Sequence, residues 1–273
     1  MGDKCATKYP IVLIHGTGFR DHRLINYWGR IPKALKNEGA EIYYGYQDSW
    51  GTIEINAQAV KKSILNLIAT TGCEKVNLIA HSKGGMEARY LISSLEMDEK
   101  IASLTTISTP HNGSKIMDIF YNMPSILHGF IAFFVNLWFK ILGDKEPDFY
   151  TTSRQFSTYF CEEFNKQNPD SERVYYQSYA TVMKNPFSDI FMVIPHIVIS
   201  LVDGENDGLV TPGSATWTNF RGVLRGASNR GISHADAVDF RRHRFTVKTK
   251  DNTISDIRDF YIKLAAGLKE NGY

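Results

Sequence analysis

Short runs of apolar and β-branched residues alternate along the chain with stretches whose apolar positions recur every three or four residues. This is the pattern of βαβ units around a mostly parallel sheet, an α/β fold. The run Ile11 to Ile14 is continuous and ends in His15-Gly16, as a strand buried on both faces should. A helix is expected around Trp28 to Asn37, then a second strand over Glu41 to Tyr46. Val60, Ile64, Leu67 and Ile68 return at helical spacing. A third strand over Val76 to Ala80 enters His81-Ser82-Lys83-Gly84-Gly85 and a helix through Ala88, Leu91, Ile92 and Leu95. Leu104 to Ile107, Val174 to Tyr179 and Ile197 to Val202 read as further strands, and Ile257, Phe260, Tyr261, Leu264 and Leu268 mark a C-terminal helix.

Over residues 111–171 the strand rhythm stops. A compact domain does not carry so long a stretch of plain loop, so this insertion is expected to be helical with a job of its own. Within it Phe130, Phe133, Phe134, Leu137, Trp138 and Ile141 recur at helical spacing, Ile131, Val135, Phe139 and Leu142 fill the other side, and Asn136 and Lys140 leave a narrow polar stripe. Ile126 to Leu142 would reach only about 25 Å as a helix, short of a hydrocarbon core of roughly 30 Å, so no transmembrane span is expected. Exposing six such side chains would forgo about 10 to 20 kcal/mol, so the helix is expected to stay covered in every state.

Composition narrows the classes. With 273 residues, 43% hydrophobic and 22% charged, the chain can bury a sizeable core, and a single domain over 1–273 with the insertion inside it is expected. Thirty-one basic against 29 acidic residues give no electrostatic reason for a nucleic-acid partner. The basic cluster Arg241, Arg242, His243 and Arg244 reads as a solvated face. Cys5, Cys73 and Cys161 are odd in number and far apart, which suits core thiols and neither a metal motif nor a disulfide framework. The first ten residues carry no apolar signal region, which fits either an intracellular chain or one whose signal has been removed.

Ala80-His81-Ser82-Lys83-Gly84 lies between an expected strand and helix, the context in which a G-x-S-x-G elbow lifts a serine above the sheet edge. Small residues must flank the serine because neighbouring backbone comes close, and Ala80 is the mildest departure from glycine. A serine hydroxyl needs a base, and the base a carboxylate to fix its tautomer. Asp207, in Gly204-Glu205-Asn206-Asp207-Gly208, is the candidate acid, with Asp203 the rival nearer the end of the expected strand. Chain order removes His15, His22, His81, His111 and His128 as the last member of the set. His196 precedes the acid, in or near a strand, and His243 sits among arginines. His234, on a glycine-bounded loop, remains as the base. The N–H of Lys83 at the start of a helix can receive an oxyanion, and the loop His15-Gly16-Thr17-Gly18-Phe19 should supply a second donor.

The set His15-Gly16-Thr17-Gly18, Ala80-His81-Ser82-Lys83-Gly84-Gly85, Ser108-Thr109-Pro110-His111-Asn112-Gly113-Ser114, Asn206-Asp207-Gly208-Leu209-Val210 and Ser233-His234-Ala235-Asp236 resembles the secreted bacterial triacylglycerol lipases of the α/β-hydrolase superfamily. The resemblance implies a triad of Ser82, Asp207 and His234. It also implies an oxyanion hole from the N–H groups of Thr17 and Lys83, with Phe19 as the fallback for Thr17. No organic cofactor is implied. Many such lipases hold a structural calcium near the catalytic histidine; Asp236 matches the acidic ligand two residues beyond it, and Asp189 lies near the position of another, while the later ligand falls at Phe240. The implied partners are a lipid ester and the lipid–water interface. The insertion would be a lid, with Phe130, Phe133, Phe134 and Trp138 lining the acyl site when closed and entering lipid when open. Phospholipids, short-chain esters or polyesters would suit the same triad, and a membrane-surface binding protein with a relic triad is the non-enzyme alternative.

Overall fold

The apolar run that opens the pattern is β1 (Ile11–Ile14), whose Ile11 and Leu13 pack into one core and Val12 and Ile14 into another. Side chains alternate across a strand, so all four must be apolar when helices cover both faces. The computed structural model describes residues 2–18, 26–226, 229–242, 247–248, 253–254 and 256–273. After β1 come α1 (Ile31–Asn37), β2 (Ile42–Tyr44), α2 (Ile53–Thr71), β3 (Val76–His81), α3 (Lys83–Ile92) and β4 (Ile101–Ile107). The insertion carries α4 (Lys115–Asn122), α5 (Ser125–Ile141), α6 (Phe149–Arg154) and α7 (Thr158–Gln167). Then follow β5 (Tyr175–Val182), α8 (Val193–Val202), the one-turn α9 (Pro212–Ala215), β6 (Phe220–Arg225), the paired β7 (Val247–Lys248) and β8 (Thr253–Ile254), and α10 (Ile257–Glu270).

Strands β1 to β6 form one parallel sheet in the order β2-β1-β3-β4-β5-β6. On one face Trp28, Ile31 and Leu35 of the α1 region meet Tyr261 and Leu264 of α10; on the other Val60 and Ile64 of α2 meet Ala88 and Leu91 of α3. Local chemistry sets the boundaries. Thr52 accepts the Ile55 N–H to start α2, and Gly72, at φ 75°, ends it in the left-handed region that a side chain would strain.

Two expectations fail here. The expected strand Ile197 to Val202 is the second half of α8, so His196 lies in a helix rather than in or near a strand. The edge position beside β5 belongs to β6, a strand that the hydrophobic pattern did not mark. A continuous β-branched run carries no period, so helix and strand are indistinguishable in it until the sheet edge is known to be taken.

Helices α4 to α7 fill the 111–171 stretch, but α5 is not covered on all sides as expected. α5 turns His128, Ala132, Asn136 and Phe139 toward the body, where Asn136 Oδ1 accepts the Phe149 N–H at 2.7 Å and His128 Nε2 bonds Ser153 Oγ at 2.8 Å. Phe130, Phe133, Phe134, Leu137, Trp138 and Ile141 are exposed. Of the polar stripe, Asn136 faces inward, where the Phe149 N–H at the start of α6 needs an acceptor, while Lys140 is exposed. Among the described residues no helix is long and apolar enough to cross a membrane.

Candidate active site

The C-terminal ends of β1, β3, β5 and β6 converge on one rim. β3 passes into α3 through Ser82, whose φ of 54° and ψ of −131° lie outside the ordinary regions for an L-residue. Such a conformation costs on the order of 1–3 kcal/mol and persists only where the surroundings enforce it. They do so by proximity. A Cβ on Gly16 would stand 2.6 Å from Ser82 Cβ, and one on Gly84 would stand 2.6 Å from the carbonyl oxygens of Ile14 and His15. The Lys83 side chain is fully buried and points away from the rim, its Nζ donating to Gly51 O at 2.7 Å and pairing with Glu87 Oε1 at 2.9 Å. Its backbone N–H stands at the first position of α3. Burial pushes the Glu87 carboxyl up, against Lys83 and Asn56, which pull it down.

Asp207 and His234 are brought together. Their link is 2.9 Å between His234 Nδ1 and Asp207 Oδ2, and the His234 N–H donates to Asp207 O at 2.8 Å. Asp207 Oδ2 also accepts Thr181 Oγ1 at 2.9 Å, and Oδ1 accepts the N–H groups of Leu209 and Val210 at 3.1 and 2.9 Å. Burial raises the Asp207 carboxyl, but His234 and the two N–H donors outweigh it and hold the group below its ordinary value. Asp207 does not follow a strand directly in the chain. It sits beyond β5 because the 183–206 excursion closes on itself, Met183 N–H donating to Asn206 O at 2.9 Å. The rival Asp203 points elsewhere, paired with Lys115 at 2.6 Å.

The ring of His81, beside Ser82 in the chain, lies 4.4 Å from the ring of His234, centroid to centroid, and so seats the His234 imidazole alongside the elbow. His81 Nδ1 bonds the Tyr27 hydroxyl at 2.7 Å. Burial, then the neighbouring His234, lowers the His81 pKa far below the ordinary range; burial, then Arg89, does the same for His111. In the unfolded chain both titrate near 6.5. Between that value and the lowered native one the unfolded state binds more protons, so stability falls as pH drops below about 6.5, by up to about 1.4 kcal/mol per pH unit for each histidine. The melting temperature should fall between pH 7 and 5, and less steeply in His81→Phe; an equal slope in that variant would refute the assignment.

Ser82 opens on a cavity of about 450 Å³ lined by Thr17, Trp50 and Phe149 near the elbow and by apolar residues of α4 and α8, among them Met117, Ile194, Val198 and Ile199. Thr17 is half-buried and lines this cavity. Phe130, Phe133, Phe134 and Trp138, expected at the acyl site, are not among the lining residues; the wall falls instead to α4, the 149–156 segment and α8, whose second half was expected to be a strand. Thr181, Tyr27 and Ser108, which bonds Thr181 Oγ1 at 2.8 Å, also escaped sequence reasoning. Thr181 and Tyr27 carry no motif, and Ser108 belongs to a quoted motif but shows its contact only in the fold. Phe19, His22 and His243 lie outside the described residues.

The residues expected to hold calcium do not fit it. Asp189 Oδ1 is ion-paired with Arg241 at 2.5 Å, and its Oδ2 accepts Ser233 Oγ at 2.9 Å. Asp236 Oδ2 accepts the Ser233 N–H at 3.3 Å while Ser233 Oγ accepts the Asp236 N–H at 3.0 Å, a reciprocal cap within one turn. A guanidinium occupies the place beside Asp189 that a divalent cation would need, and Arg241 is accordingly not part of a solvated face. No cluster of three or more His, Cys, Asp or Glu with ligand geometry occurs among the described residues.

A profile of the alpha/beta hydrolase fold matches residues 9–193. "Triacylglycerol lipase 2" of Saccharomyces cerevisiae is 30% identical over 265 residues, which cover 91% of this chain and 75% of the yeast protein. A triacylglycerol lipase of Pseudarthrobacter phenanthrenivorans is 31% identical over 180 residues, 61% of this chain and 56% of that protein, so the chain matches little more than half of it. Among solved structures, a Bacillus licheniformis lipase in its mature form superposes with a TM-score of 0.65 at 19% identity, over 86% of this chain and 88% of that one, and shows the same fold. The chain belongs to the alpha/beta hydrolase fold family, alongside its lipases. It is a serine hydrolase by that membership.

Proposed function

We propose that the chain hydrolyses carboxylic esters of lipids, triacylglycerols first among them, through an acyl-enzyme on Ser82. The observation that carries this reading is the Asp207–His234 pair seated beside the strained Ser82 elbow, at a cavity whose walls are nearly all apolar. The substrate class comes from the names of the yeast and bacterial relatives. His234 Nε2 takes the Ser82 Oγ proton as Oγ bonds the ester carbonyl carbon. The N–H groups of Thr17 and Lys83 receive the oxyanion. As the C–O bond breaks, His234 returns the proton to the departing alcohol; water then attacks the acyl-enzyme with His234 as base, releasing the fatty acid and restoring Ser82. Asp207 stays ionised and holds Nδ1–H throughout, and the chain's own groups and water complete the cycle without an organic cofactor.

The same proposal gives the insertion its part. α5 presents Phe130, Phe133, Phe134 and Trp138 to solvent, and the run into α8 presents Ile190, Phe191, Ile194 and Leu201. Apolar surface of this extent marks a binding face, here for a lipid–water interface, with α5 and α8 as a lid that opens the cavity toward it. The resemblance to secreted lipases extends the proposal to an extracellular place of action, which cell fractionation tests.

Fluorophosphonate labelling tests the core of the reading: wild-type protein should label and Ser82→Ala should not. In parallel Asp207→Asn should lose most turnover of p-nitrophenyl butyrate while Asp203→Asn keeps it. The reverse ranking would assign the acid to Asp203 and break the triad.

A further inference from the structure

Asp189 is wholly buried, and its one carboxylate gathers three segments of the chain. Oδ1 accepts the Phe191 N–H at 3.1 Å, capping the turn that leads into α8, whose Ile194, Val198 and Ile199 wall the cavity. Oδ2 accepts the hydroxyl of Ser233, the residue before His234, at 2.9 Å. Arg241 closes the set from the far side of the His234 loop, at 2.5 Å from Oδ1 with its side chain mostly buried. A buried carboxylate without a cation is costly, and a charge held by hydrogen bonds on several segments fixes their relative positions. The local turn adds rigidity, since Ser233 and Asp236 cap each other and the Ala237 N–H donates to Ser233 O at 3.0 Å.

We propose that Arg241 is a positioning residue for His234, a built-in guanidinium that holds Asp189, and through it Ser233 and α8, at the place where the resemblance implied a divalent cation. The inference rests on His234 being the catalytic base. It follows that the imidazole and the acyl wall are set by one buried carboxylate, so that a change at Arg241 reaches the chemical step without touching substrate. Misplacement of a reacting group by about 1 Å can cost about 100-fold in rate.

The test uses the full chain and soluble p-nitrophenyl butyrate. Wild-type kcat and melting temperature should be the same in EDTA and in calcium. Arg241→Met should lower kcat by about 10- to 100-fold with a clearly smaller rise in KM, because the base moves off its line while the α8 wall shifts without leaving the cavity. Arg241→Lys, which keeps the charge and supports folding if the Met variant fails, should recover part of kcat. Asp189→Asn combined with Arg241→Met should lose less than the product of the two single losses, since no unpaired carboxylate remains. An Arg241→Met enzyme with unchanged kcat, a loss confined to KM or to melting temperature, or a wild type weakened by EDTA would each overturn the inference. Wild-type protein that neither turns over the ester nor takes a fluorophosphonate would instead overturn the reading of Ser82 and His234. An active wild type with an unaffected Arg241→Met overturns this inference alone.

Discussion

Ser82→Ala and His234→Ala are each expected to lower kcat by on the order of 10⁶, and the double variant should be scarcely slower than either. The reason is that the two groups act in one event. Without Oγ there is no nucleophile for His234 to deprotonate, and without the imidazole the hydroxyl stays protonated at neutral pH. Asp207→Asn should cost less, on the order of 10⁴, because the imidazole remains in place but loses the partner at 2.9 Å that fixes its Nδ1 proton. Residual turnover in all of them should reflect the backbone donors, which no side-chain change removes. Steady-state rates on p-nitrophenyl butyrate, checked for contaminating activity by active-site titration, read the result. Near-additive losses would mean that the two residues do not share a step.

Replacing Phe133, Phe134 and Trp138 together by Ser should weaken binding to lipid vesicles by about 10²- to 10³-fold and flatten the response to emulsified substrate. The three side chains are 62%, 55% and 60% exposed, so most of their apolar surface is still free to be buried at an interface. At about 1–1.5 kcal/mol for each such partial burial, the loss comes to about 3–4.5 kcal/mol. Hydrolysis of a soluble ester should remain close to wild type because none of the three lines the cavity beside Ser82. Their exposure in the fold sharpens the contrast, since the variant gives up no core packing. Equal loss on both substrates would show that α5 supports the site rather than the interface.

Much of this site was legible in the chain because its chemistry is local. A strand that ends at a serine flanked by small residues, and a later Asp and His in fixed order, need only the backbone near each of them to be recognised. The apolar run of α8 was not legible, since a β-branched stretch suits helix and strand alike and only occupation of the sheet edge by β6 decides between them. The calcium expectation failed for a related reason: Asp189 and Asp236 stand at suitable places in the chain, but a carboxylate's partner is set by what folds against it, and here that is Arg241.

The sequence by itself determined the parallel α/β architecture, the elbow at Ser82 and the order of acid and base, because periodicity and turn chemistry act over a few residues. Tertiary structure alone decided that Asp207 rather than Asp203 meets His234, that α8 rather than α5 walls the cavity, and that a guanidinium stands beside Asp189. Each of these is a contact between segments far apart in the chain, and side-chain pairing across such distances depends on the packing of the whole sheet, which no local pattern records.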